Sequence, residues 1–237
     1  MEVHDVKLVL DHAIARRPPW SLATQGIFAP GIHLVSGEVG SGKSTLALMM
    51  AGLHAPKEGA VIREGIGSVL ISFQFPEFHV TGLSVAEECK SWGRKPETAI
   101  RQAGIDVLPE VPVLSLSRGE LKRLHLACIL SRDYDLLLLD EPFSSLDCPA
   151  KEEFCRQISR RAGGITVIFS HEQSIFPEID HLWEISDGCL VDCGKMPGAL
   201  LHWQHAPPLV RRLIETGRTP LSLTPEGLQE AACRTQD

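Results

Sequence analysis

Gly37-Glu38-Val39-Gly40-Ser41-Gly42-Lys43-Ser44-Thr45 spaces a glycine, four residues, a second glycine, a lysine and a hydroxyl. That spacing suits a chain of phosphates. Glycines let successive backbone N–H groups wrap an anion without Cβ clashes. Lys43 carries a charge for the β- and γ-phosphates, and the Ser44 hydroxyl is a hard oxygen ligand for Mg²⁺. A helix beginning near Lys43 directs its positive end at the same phosphates. Alone, the segment implies only a nucleoside triphosphate.

The chemistry needs carboxylates, and Leu136-Leu137-Leu138-Leu139-Asp140-Glu141 supplies two. Asp140, at the C-terminal end of a buried strand, can hold Mg²⁺ through its water shell, where open α/β sheets bind their ligands. Glu141 leaves the backbone on the opposite side and can orient or deprotonate an attacking water.

The elements that must position these groups are legible in part. Glu2–Leu10, Gly31–Ser36, Ser68–Phe73, Asp135–Asp140 and Ile165–Ser170 read as strands. The near-continuous Leu run fits a strand buried on both faces of a parallel sheet. Helices are expected from Lys43 to a stop at Gly52, over Ser84–Trp92, Pro96–Ala103, Gly119–Leu130 and Pro149–Arg161. His181–Ser186 and Cys189–Asp192 suit a hairpin around Asp187-Gly188. His12–Trp20, with its Arg-Arg-Pro-Pro, reads as a loop, and the tail from Pro207 to Ala232 as two short helices. Strands alternating with helices imply an α/β fold with a largely parallel sheet.

Composition narrows the class. The 237 residues, 43% hydrophobic and 22% charged, suit one domain or one domain with two lobes. A formal net charge of −7 argues against nucleic acid as the main partner. No apolar run is long enough to span a bilayer, and the first five residues give no sign of a signal peptide. The seven cysteines are irregularly spaced, as expected for reduced structural thiols; Cys189 and Cys193 have no second pair facing them for a metal.

These motifs, with others in order downstream, resemble the ABC ATPase family. Gln74 follows the strand Ser68–Phe73, as that family's Q-loop glutamine does. Leu116-Ser117-Arg118-Gly119-Glu120 is similar to its signature Leu-Ser-Gly-Gly-Gln, with Arg118 for the first glycine and Glu120 for the glutamine. Ser144-Ser145-Leu146-Asp147 resembles the D-loop, and His171, ending a strand, resembles the switch histidine. The resemblance implies a P-loop fold with a mostly parallel core sheet, an antiparallel β part and a small helical subdomain. It implies one ATPase domain: a catalytic lobe over about 1–75 and 132–200, a signature lobe over about 76–131 and a C-terminal extension over about 201–237. It further implies a head-to-tail dimer with ATP and Mg²⁺ between the phosphate loop of one subunit and Ser117, Gly119, Glu120 and Asp147 of the other. Catalysis would fall to Glu141, His171 and Gln74, and the metal to Ser44, Gln74 and Asp140. The family's adenine-stacking tyrosine has no counterpart: the only tyrosine is Tyr134, and neither His12 nor Trp20 stands where it is expected.

Phe73-Gln74-Phe75-Pro76-Glu77, the following Ser84-Val85-Ala86-Glu87-Glu88, and the tail segments Pro207–Arg212 and Pro220–Thr224 resemble the ATPases of energy-coupling factor transporters. That implies uptake of a vitamin or a transition-metal ion. The partners would be a second ATPase subunit, identical or paralogous, a transmembrane coupling protein and a separate membrane substrate-binding protein. The chain would sit at the cytoplasmic face of the membrane. Phe73, Phe75 and Phe78 are either part of a groove for a coupling helix or ordinary core. A conventional ABC importer or exporter, and a soluble ABC ATPase, are the alternatives.

Overall fold

In a computed structural model, residues 6–161, 163–171 and 175–233 are described. Among them, nine strands form one mixed sheet in the order β4-β1-β2-β9-β8-β3-β7-β6-β5. The strands are β1 Lys7–Arg17, β2 Trp20–Phe28, β3 Gly31–Gly37, β4 Glu58–Glu64, β5 Val69–Ser72, β6 Leu136–Asp140, β7 Ile165–Phe169, β8 His181–Ser186 and β9 Cys189–Lys195. β3, β5, β6, β7 and β8 pair in parallel, while β1, β2 and β4 pair antiparallel.

The helices fill the connections: α1 Lys43–Ala51, α2 Val85–Ser91, α3 Pro96–Ala103, α4 Arg118–Ile129, α5 Cys148–Ser159, α6 Pro208–Glu215 and α7 Pro225–Cys233. β6 explains why a Leu run was needed. Leu136 and Leu138 pack with Leu46, Met49 and Met50 of α1 on one face. Leu137 and Leu139 pack with Phe154 and Ile158 of α5 on the other. A period of two divides the run between two helical layers. A third apolar cluster joins α2, α3 and α4 through Val85, Cys89, Ala99, Leu124 and Cys128.

The loop expected over His12–Trp20 is a hairpin instead. β1 runs on through Arg17, the chain turns at Pro18-Pro19, and Trp20 opens β2. Buried Leu8, Leu10, Ala13 and Ala15 do alternate, but a bulge between Leu10 and Ala13 shifts the phase by one residue and hides the pattern. β2 and β4, polar and glycine-containing, carry no clear strand pattern; β4 is one edge of the sheet, where pairing rather than burial holds a strand. Of the strand expected over Glu2–Leu10, Glu2–Asp5 lie outside the described residues. The outer strands are tied to α1 by Arg63, whose guanidinium donates to the C-terminal carbonyls of Met49 and Met50, both at 2.8 Å.

Glu88 of α2 is fully buried. Its carboxylate accepts from the N–H groups of Thr81 and Gly82, both at 2.8 Å, from Trp92 Nε1 at 2.8 Å, and lies 3.1 Å from His125 Nε2. Burial pushes its pKa up, but the bonds from His125, Gly82, Thr81 and Trp92 together outweigh burial and hold it at about 2. Glu88→Ala should therefore cost about 3 kcal/mol near neutral pH, measured by urea unfolding. Because the native pKa is depressed, the stabilisation is present above the ordinary value of 4.5 and is lost as pH falls toward about 2. The gap between wild type and Glu88→Gln should narrow across that window.

Candidate functional site

β3 delivers the chain into the loop at Gly37, and α1 starts at Lys43. Gly42, the residue before the helix, has φ 111° and makes no side-chain cap, so the first-turn amides stay available to an anion. A Cβ at Gly42 would lie 2.4 Å from the ring of Trp20, so only glycine fits. The buried Lys43 folds back over the loop and donates to the carbonyls of Gly37 at 2.7 Å and Glu38 at 2.9 Å. Burial lowers its pKa, against the opposing pull of Glu141 and Asp140.

Asp140 and Glu141 end β6 side by side, 4% and 5% exposed. Burial raises the pKa of Asp140, and a hydrogen bond from Ser44 pulls the other way. Asp140 Oδ1 is buried without a hydrogen-bond partner. Glu141 turns at φ 48° and stands 4.0 Å from Lys43 Nζ. His171, beyond the end of β7, sets its Nδ1 2.6 Å from Glu141 Oε1 and donates its backbone N–H to the same oxygen at 3.2 Å. Ser170 Oγ donates to Glu141 Oε2 at 3.3 Å.

Lys43, Glu141 and His171 line one open cleft of about 340 Å³, while Asp140 is not among its lining residues and reaches it only through Ser44. Of the residues singled out from the sequence, Val39, Gly40, Gly42, Lys43, Ser44 and Thr45 line it, and Gln74, Glu141 and His171 close it. Gly37 and Ser41 lie in the wall of the loop, with the Ser41 hydroxyl enclosed, and the Glu38 side chain points out. The cleft pairs an anion cradle with buried hard oxygens and a histidine-bound carboxylate, a combination able to hold a triphosphate and aim water at it.

Ser117, Gly119, Glu120 and Asp147 do not line the cleft of their own chain. Ser117 and Glu120 form a capping box at the start of α4, with Ser117 N and Oγ donating to Glu120 Oε2 at 2.9 and 2.7 Å. Asp147 caps α5 by accepting from Ala150 N–H at 3.0 Å. Gly119 passes so close to Ser145 that a Cβ would meet its carbonyl oxygen at 2.8 Å. Arg118 turns toward the 74–79 segment, 3.3 Å from Glu77 and 5.4 Å from the centre of the Phe75 ring.

Two further residues line the cleft: Trp20, considered for a base from the sequence but set aside, and Arg17, which nothing in the sequence marks. Trp20 and Arg17 flank the double-proline turn and reach the cleft. Trp20, expected to stand away from the site, lies in the lining of the cleft because the stretch expected as a loop is a hairpin. From the other side, His205 joins the loop, with Nδ1 2.8 Å from Glu184 and Nε2 4.0 Å from Glu38.

Fold and cleft together define a P-loop nucleoside triphosphatase. Residues 27–144 match the family described as ABC transporter. The chain is 28% identical over 187 residues to an energy-coupling factor transporter ATP-binding protein of Thermotoga maritima, covering 69% of this chain and 71% of that one. A second such protein of the same organism is 29% identical over 234 residues, covering 85% and 86%. An uncharacterized ABC transporter ATP-binding protein of Mycobacterium tuberculosis is 32% identical over 218 residues; 82% of this chain matches 31% of it. Among solved structures, the RNase-L Inhibitor superimposes with a TM-score of 0.69 at 23% identity, over 91% of this chain and 43% of that one. A bacterial Atm1-family ABC exporter gives 0.63 at 19%, over 81% and 39%. This chain carries an ABC ATPase domain and is an ATP hydrolase of the ABC transporter type.

A flat aromatic side chain in the lining of a nucleotide cleft is the kind of group on which a base stacks, and Trp20 is the tryptophan in that lining. Trp20→Ala should weaken ATP binding about tenfold in an equilibrium titration, and Trp20→Phe should retain most of it. Unchanged affinity in the alanine variant would remove Trp20 from the nucleotide site.

Proposed function

We propose that the chain powers membrane uptake of the energy-coupling factor type, as one of two ATPase subunits meeting head to tail beneath a membrane partner. The observation that carries the ATPase half is the convergence of Lys43, Ser44 (backed by Asp140) and the His171–Glu141 pair on one cleft. In this reading Glu141 is the general base or water-orienting group. His171 fixes the Glu141 carboxylate and reaches toward the γ-phosphate. Gln74 monitors the same end of the cleft, and Lys43 leaves its two loop carbonyls for the phosphates.

Mg²⁺ fits the donor set. Asp140 holds an unpartnered buried oxygen beside the Ser44 hydroxyl, and both are hard ligands. Bound there with Gln74 nearby, it would neutralise charge on the phosphates. Ser117, Gly119, Glu120 and Asp147 would act on the partner's nucleotide. That asks the α2–α4 region, about 76–131, to move as a lobe against the core of about 1–75 and 132–200, with about 201–237 as a C-terminal extension.

The transport half rests on an exposed apolar surface. Phe75 is 41% exposed, Phe78 73% and Leu83 84%, in the segment that follows Gln74. An exposed apolar patch of this kind marks an interaction site, and we take its partner to be a coupling helix of a transmembrane protein; no helix among the described residues is itself long and apolar enough to cross a membrane. The similarity to two energy-coupling factor ATPases over most of their length favours that type. Its cargo would be a vitamin or transition-metal ion captured by a separate membrane protein, with this chain at the cytoplasmic face.

Glu141→Gln should reduce phosphate release at least about 100-fold while ATP binding survives. Unchanged turnover would end the assignment of Glu141. For transport, the chain should co-purify from membranes with an integral membrane protein, and Phe78→Asp should break that association. Recovery with nucleic acid or ribosomes instead would overturn the transport reading.

A further inference from the structure

The backbone that carries Gln74 is gripped from outside by two side chains. His79, in the 3-10 turn Pro76–His79, accepts the N–H of Phe73 at Nε2, 2.9 Å away, and stacks on the Phe73 ring at 5.0 Å. Burial, with His125 and Lys122 nearby, lowers its pKa to about 4, as an imidazole that must accept requires. Lys122, from α4, donates Nζ to the carbonyls of Phe73 at 3.2 Å and Gln74 at 3.1 Å.

Lys122 is 1% exposed. Burying an ammonium is costly, and two carbonyl partners replace only part of its hydration. Burial brings its pKa down to about 8, while Asp140, Glu141 and Glu77 pull it up. A leucine or methionine would fill the same volume without that cost. The charge therefore does something that packing cannot, and its reach is toward Gln74 and the two carboxylates of the cleft. Lys122 also belongs to the helix whose capping box opens at Ser117, so one rigid element carries both ends.

We propose that Lys122 is a positioning residue for ATP hydrolysis. It holds Gln74 in register with Asp140 and Glu141, and ties that register to the Ser117 end of α4. A shift at the cleft then turns α4, and a shift of α4 withdraws Gln74. The inference rests on the reading of Gln74 as a residue of the reacting end of the cleft.

The test is a double-mutant cycle on the full chain with Mg-ATP: Lys122→Met, Gln74→Ala and both together. Lys122→Met should lower kcat about 10- to 100-fold with ATP affinity and thermal midpoint unchanged, as expected for misplacement and not for lost binding. Adding Gln74→Ala should slow it no further, because both changes remove one function. Lys122→Gln, which retains a donor, should recover part of the rate. Normal turnover in Lys122→Met, or losses that multiply in the double variant, would overturn the proposal. Normal turnover in Gln74→Ala alone would instead sink the role of Gln74. If Lys122→Met fails to fold, the same cycle with Lys122→Gln decides by the same non-additivity.

Discussion

Four charges are buried together at the C-terminal edge of the sheet: Lys43, Lys122, Asp140 and Glu141, none more than 6% exposed. Ions removed from water must find partners or lose their charge. Here the partners are split among several elements. Lys43 takes carbonyls from its own loop, Lys122 takes carbonyls from the segment after β5, Asp140 takes Ser44 from α1, and Glu141 takes His171 from beyond β7. No single element can satisfy the cluster, so its electrostatics fix how β3, β5, β6 and β7 must end relative to one another.

The rest of the core makes that arrangement affordable. β6 and β7 are buried along their whole length; β6 divides its leucines evenly between two apolar clusters, and β7 sends Ile165, Val167 and Phe169 to one and Ile168 to the other. A strand so constrained cannot slip by one residue without sending Asp140 to the wrong face. The apolar run is thus the ruler that sets where the carboxylates emerge. The α2–α4 cluster has its own core around Glu88 and meets the cleft chiefly through the 73–79 segment and Lys122. α4 also reaches the main core, where Leu126 and Ile129 pack in one cluster with Leu137 and Leu139, so it belongs to both clusters.

Some of this was readable in advance. The phosphate loop declares itself because strand, glycine spacing, lysine and helix are all local, and β6 because a parallel strand must be apolar on both faces. The helix expected over Gly119–Leu130 is present as α4, capped by a box of Ser117 and Glu120 that only the structure revealed. The hairpin carrying Trp20 was lost because a bulge breaks the alternation and a double proline looks like a break in structure. Lys122 was invisible for a different reason. A lysine in an amphipathic helix ordinarily reaches solvent, and nothing in its neighbours marks this one as inward.

The sequence alone determined the chemistry on offer: an anion cradle, a hydroxyl and two carboxylates, each defined by neighbours a few residues away. Local rules suffice there because glycine geometry, helix starts and strand burial are properties of short segments. Only the tertiary structure decided the assembly. It brought Glu141 onto His171 across 30 positions, Gln74 under Lys122 across 48, and Trp20 against Gly42. Those meetings depend on sheet order and helix packing, which balance burial and charge over the whole domain and are written in no single stretch of the chain.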